Sequence, residues 1–229
     1  MKKTLLAVMA LVSLCSYGQL ASEGFETPWT SPTPNNPAAP PGWMVINEHG
    51  PNVTWVQTVD GDTSQPPFGG NHSAFLNREN TPSTDPTPRD WLITPTFIAP
   101  VDGILRFQSR LTIAGDQGSI YKVLISTDSD PANLSSYTAL YTATELQINP
   151  LQTDYNQVSV NLGNYAGQQV QIAFVMEGDG ADRWLIDDVG IFSNCNVPIQ
   201  PHASLMGNAV ELNWTHDESI TSWEIEIVS

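Results

Sequence analysis

Apolar residues recur at every second position in several stretches of this chain, and clusters of Gly, Pro, Asn and Asp separate the stretches. In GILRFQSRLTI, Leu105, Phe107, Leu111 and Ile113 share one parity, interrupted by Ser109. Tyr121, Val123 and Ile125 alternate in IYKVLIST, as do Val158, Val160 and Leu162 in NQVSVNL. Val170, Ile172, Phe174 and Met176 continue the pattern in QVQIAFVM, and RWLIDDVGIF, Arg183 to Phe192, closes the series. Period two belongs to a strand, whose successive side chains point to opposite faces. Strong helical periodicity is absent. Short strands with turn residues between them predict an all-β sandwich.

Residues 27–42 carry six prolines and no aliphatic side chain larger than alanine, and Pro82, Pro86 and Pro88 punctuate residues 77–89. Both segments predict extended surface loops. A boundary falls at residues 193–198. Beyond it, Val210, Leu212 and Trp214 form one alternating face, and Trp223, Ile225 and Ile227 form the next. Two strands and a turn cannot close a core, so this tail is an incomplete β unit.

The first residues have the layout of a secretory signal peptide. Lys2 and Lys3 precede an apolar run from Thr4 to Leu14, and Ser16, Tyr17 and Gly18 form a small-residue exit. The run is too short for a membrane span, and cleavage is expected near Gly18. A lipoprotein signal at Cys15 is the rival, disfavoured by the bulk of Leu14. Loss of the leader takes two of the eight basic residues and none of the 24 acids, so the formal charge moves from −16 to −18. So acidic a chain disfavours nucleic acid and anionic membranes as partners. Cys195 is left as the single cysteine, which leaves no intrachain disulfide as a staple.

Asp187 and Asp188 lie side by side in the last strand-like segment. Asp is disfavoured inside strands, and a buried carboxylate is costly without a partner. Asp187 shares its parity with Leu185, Val189 and Ile191, which points it toward the core. Asp60-Gly61-Asp62 sets two further carboxylates around a flexible glycine. Such oxygens suit calcium, which takes six to eight of them. Asp-Gly-Asp is equally an ordinary turn, and no EF-hand loop pattern is present. Asp128-Ser129-Asp130-Pro131 predicts a loop with Asx-turns, and residues 177–182 predict an acidic hairpin connection or a second calcium loop. Catalytic motifs are missing: there is no Gly-x-Ser-x-Gly elbow and no His-Glu-x-x-His pair.

Several residue groups, taken in order, resemble one family. They are Glu23-Gly24-Phe25-Glu26, Pro41-Gly42-Trp43, Trp55, Asn71-His72-Ser73-Ala74 and Asp90-Trp91-Leu92-Ile93-Thr94-Pro95. Residues 121–127, residues 161–167 and Asp187-Asp188-Val189 complete the order. Together they are similar to the cleaved-adhesin, or choice-of-anchor J, modules of bacterial surface proteins, to which gingipain adhesin domains belong. MAM domains share a similar sandwich. The resemblance spans residues 23–192, with one departure at Ala74, where the family usually has glycine. The tail from Cys195 resembles the start of a fibronectin type III domain, with Trp214 at the core tryptophan.

The resemblance implies a jelly-roll β-sandwich over residues 19–193, after a signal peptide over 1–18. An incomplete fibronectin type III unit over 194–229 would follow, expected to continue beyond Ser229. It also implies calcium at one end of the sandwich, with Glu26, Asp60, Asp62 and Asp187 or Asp188 as ligands. The expected function is a non-catalytic, calcium-stabilised adhesion module, secreted or on the surface of a Gram-negative bacterium. Its partner would be a host or matrix protein or a surface glycan, without membrane insertion of the mature chain. A carbohydrate-binding module is the alternative, with Trp29 and Trp43 as candidate platforms, although burial is the commoner fate of a sandwich tryptophan. An accessory domain of a larger secreted peptidase or glycosidase is a third possibility.

Overall fold

The period-two segments form strands that assemble into two stacked antiparallel sheets. The computed structural model describes residues 19–32, 36–49, 53–80, 86–180, 182–193, 199–206 and 209–215. Within them the strands, in chain order, begin with β1 (Gln19–Glu23), β2 (Met44–His49), β3 (Val56–Gln57), β4 (Ala74–Leu76) and β5 (Arg89–Ile93). They continue with β6 (Phe97–Ile98), β7 (Gly103–Leu111), β8 (Ile120–Ser126), β9 (Thr138–Thr144) and β10 (Asn156–Asn161). The last are β11 (Gln169–Glu177), β12 (Trp184–Ser193), β13 (Ile199–Met206) and β14 (Ala209–Thr215). One short helix, α1 (Glu145–Ile148), follows β9.

One sheet runs β10-β7-β12-β4-β3, with β1 also paired to β12; the other runs β2-β5-β11-β8-β9, with β6 paired to β11. The all-β sandwich of jelly-roll type expected from the sequence is the fold observed. Alternation in β7 buries Leu105, Phe107, Ser109 and Leu111 and leaves the residues between them half-exposed. Between the sheets lies an aromatic centre: the Trp184 ring packs against Tyr121 at 4.9 Å and Trp55 at 5.4 Å. Phe107 and Phe174 meet edge to face at 5.0 Å beside it. Dense contacts of this kind contribute beyond the area they bury.

The central strand β11 is buried on both faces. Its second face, Ala173 and Val175, joins Trp91, Ile93 and Leu124 in a smaller cluster, covered by Met44, Ile46, Leu134 and Tyr137. Residues 19–193 form one compact unit, and the hairpin of β13 and β14 belongs to another. β13 has no counterpart in the alternation read from the sequence. Met1 to Gly18, Cys195, Trp223, Ile225 and Ile227 lie outside the described residues. Among the described residues no helix is long and apolar enough to cross a membrane.

Candidate metal centre

β12 keeps β7 along one edge and changes partner along the other. β4 pairs with Trp184 to Ile186, and β1 pairs with Val189 to Phe192. The changeover falls on Asp187 and Asp188. There the register with β7 also shifts, and Asp188 takes a left-handed φ of 45°. A bulge of this kind bends the strand and re-aims its side chains.

The bulge decides which face Asp187 occupies. Residues directly opposite in an antiparallel ladder share a face. Trp184 and Ile186 oppose Leu111 and Ser109 and point between the sheets, whereas Asp187 opposes Gln108 on the outer face. Beyond the bulge Val189 and Ile191 return to the core. Asp187 therefore shares a face with Leu185 but not with Val189 and Ile191, and the expectation that it points into the core is corrected.

Asp187 is nevertheless fully buried, because residues 66–72 fold over it. Its Oδ2 accepts the backbone N–H groups of Phe68 at 2.8 Å and Gly69 at 3.1 Å, and its Oδ1 accepts that of Asp188 at 2.8 Å. The covering loop is pinned by the Phe68 ring on Tyr155 at 5.5 Å, and the Tyr155 hydroxyl donates to the Pro66 carbonyl at 3.0 Å.

Two glutamates stand beside this pair. Phe25 adopts a left-handed φ of 57° that sends its ring into the core, against Trp43 at 5.5 Å, and leaves the flanking acids outside. Glu26 accepts the N–H groups of Asn71 and His72, each within 3.0 Å. Glu23 accepts the N–H of Phe25 at 2.6 Å. The Asp188 carboxylate fits where two glycines leave room: a Cβ on Gly24 would sit 3.5 Å from it, and one on Gly69 3.7 Å.

Burial raises the Asp187 carboxyl to about 6, with the charge of Asp188 adding to it and three backbone N–H groups opposing. Glu23 is raised as well, by burial first and by the charge of Glu26. Among the described residues none of these four carboxylates forms an ion pair; the acids that do are Glu48 and Glu177. Arg106 lines a neighbouring cleft of about 410 Å³ with Glu23, Gly24 and Asp188. Hard carboxylate oxygens in an uncompensated group are the chemistry that suits calcium. As arranged here, no three His, Cys, Asp or Glu side chains among the described residues gather tightly enough to hold one metal ion.

The other candidates divide. Asp60 is exposed, and Asp62 spends its carboxylate on its own turn, accepting the N–H and hydroxyl of Ser64 at 2.8 and 2.6 Å. No contact draws either of them to Glu26 or Asp187. Glu23 was missed in the sequence; its signal was the second acid in Glu23-Gly24-Phe25-Glu26. Trp29 and Trp43 are half-buried and packed against the core, rather than free-standing platforms. The Asx-turns at Asp128 and Asp130 are present.

Residues 177–182 do not form a hairpin, because they carry the chain from β11 in one sheet to β12 in the other. Asp182 in this crossing is buried and accepts the N–H groups of Thr112, Ile113 and Arg183.

No family model matches the chain. Hemagglutinin A of Porphyromonas gingivalis strain W83 is 25% identical over 169 residues, a match that takes in 66% of this chain and 8% of that protein. A second Hemagglutinin A of the species is 24% identical over 167 residues and is covered over 6% of its length. The chain thus spans a small part of the curated relatives it matches. Among solved structures, the K1 cleaved adhesin domain of Lys-gingipain from Porphyromonas gingivalis W83 aligns with a TM-score of 0.53 and 23% identity. The alignment covers 76% of this chain and 98% of that domain. The K2 domain of the same protein gives 0.52 and 18%, again over 76% and 98%. The fold is shared with these domains, and the resemblance to cleaved-adhesin modules is supported from both sequence and structure.

Proposed function

We propose that this chain is a non-catalytic adhesion module of an exported bacterial surface protein, stapled by calcium at the β12 bulge. The sandwich shared with cleaved adhesin domains and the sequence likeness to Hemagglutinin A support a binding role without catalysis. The observation that supports the calcium reading is that Glu23, Glu26, Asp187 and Asp188 lie on β1, just after it and at the β12 bulge that β1 adjoins, none of them in an ion pair among the described residues. When bound, calcium would supply the missing positive charge and join β1, the loop of residues 66–72 and β12. Such a metal does the work of a disulfide by binding only the folded state.

Asp187→Asn tests it: the amide keeps the shape and removes the charge, and because its nitrogen cannot accept one of the backbone N–H bonds, the readout is each protein's own response to calcium rather than its absolute stability. Thermal unfolding of the wild type should shift upward with calcium against excess chelator, and the variant should lose most of that shift. A variant that responds as the wild type does would sink the assignment.

A glycan is the second reading of the partner. It is favoured by a cleft of about 400 Å³ where the half-buried Trp43 ring meets Pro95, Phe97, Thr94 and Thr96. Thr96→Tyr would fill this cleft from an exposed position, giving up the Thr96 hydroxyl bond to Gln171. If a glycan array shows binding to the wild type and equal binding to that variant, the cleft is not the site.

A further inference from the structure

β10 ends its sheet, with β7 along one side and no described strand along the other. A terminal strand offers a row of main-chain donors and acceptors to any strand that can pair with it. The other terminal strands are poorly suited to this. β1, β2 and β9 each carry a break in register, and β3 and β6 are two residues long. β2 also holds Glu48 and His49. β10 is regular: every residue from Asn156 to Asn161 pairs with β7 without a shift, and none is charged, Gly or Pro.

The Leu162 N–H meets the Gly103 carbonyl at 2.7 Å, and that bond fixes the phase of the ladder. Main-chain groups alternate in direction along an antiparallel strand. Val158 and Val160 therefore turn theirs to β7, whereas Gln157, Ser159 and Asn161 turn theirs to the open edge. The side chains of these three are exposed, while Val158 and Val160 are buried in the core. Gln157-Val158-Ser159-Val160-Asn161 reads almost the same in both directions, with one amide exchanged for the other at its ends. A foreign strand needs no such symmetry, but a second copy pairing with the first does.

We infer that two copies of this chain join through β10, antiparallel about a twofold axis at Ser159. Ser159 then faces Ser159, and Gln157 of each copy faces Asn161 of the other. Each of these pairs exchanges both N–H···O bonds, because all three residues present donor and acceptor to the edge. Such a contact is isologous, the form that closes a dimer. Charge favours the same place. Copies that each carry a formal charge of −16 repel, and an uncharged strand lets them meet without setting acid against acid. Gln157 also lines the cleft of Glu23, Arg106 and Asp188, so pairing sets two such clefts on one continuous sheet. Two adhesion modules held together bind a repetitive surface with an avidity that neither has alone.

Sedimentation velocity of the full chain over a concentration series tests this. The wild type should pass from monomer to dimer as concentration rises. Ser159→Pro removes an outward N–H at an edge position where proline is tolerated, and should weaken dimerisation at least tenfold. Ser159→Lys and Ser159→Glu should each stay monomeric alone, since the residue meets itself across the axis, whereas an equimolar mixture of the two should recover the dimer. A wild type that remains monomeric throughout the series would overturn the inference and leave the edge to a strand of another protein. So would a dimer that all three variants leave intact, or charged variants whose mixture does not pair. Should Ser159→Pro fail to fold, the two charged variants, whose side chains point to solvent, decide the matter by themselves.

Discussion

Ser109 interrupts the apolar alternation of β7 for a reason that lies 75 residues away. Its hydroxyl accepts the indole N–H of Trp184 at 3.0 Å, and both residues are fully buried. Ser109→Ala would strand that donor in the aromatic centre, at a cost of about 1–3 kcal/mol, measurable as a lowered denaturation midpoint at constant m-value. Asp188 shows the opposite balance. Its left-handed φ suits glycine better than an acid, and strain of this sort costs about 1–3 kcal/mol unless the surroundings compensate. Asp188→Gly should leave the chelated protein at least as stable as the wild type while shrinking its response to calcium. An undiminished response would remove Asp188 from the proposed site.

At the level of elements, the loop of residues 66–72 ties Asp187 to Glu26, giving the N–H groups of Phe68 and Gly69 to one and those of Asn71 and His72 to the other. Gly70 is its tightest point: with φ at +61°, a Cβ there would come within 2.9 Å of three Glu26 atoms. Gly70→Ala should displace the Glu26 carboxylate from the N–H groups of Asn71 and His72 and weaken calcium binding, which titration calorimetry would detect. Asp62→Ala should do neither, since that carboxylate serves only its own exposed turn. A calcium response lost in Asp62→Ala would bring the Asp60–Asp62 turn back into the site and expel the account given for the bulge.

For the whole molecule, a formal charge of −16 makes cations a natural source of stability. A single calcium site saturated a hundredfold above its dissociation constant adds about 2.7 kcal/mol by mass action. The full chain should therefore unfold several degrees lower in excess chelator than in calcium. Magnesium, which demands a smaller octahedral shell, should restore less of the difference. Melting temperatures that coincide in chelator and calcium would leave the buried acids held by hydrogen bonds alone.

The sequence by itself determined where β7, β8, β10, β11 and β12 lie, because period two is a local property that each segment carries alone. It also exposed Asp187 and Asp188, since two acids inside an apolar strand are anomalous wherever the strand packs. The weakly patterned β9 and the short β3 and β6 were not legible, because their pairing rests on neighbours rather than on their own side chains. Only the tertiary structure decided that Asp187 faces outward. Its parity is reset by a bulge, and the bulge exists because β4 hands over to β1 along the edge of β12. The donors that satisfy Asp187 lie 119 and 118 residues away.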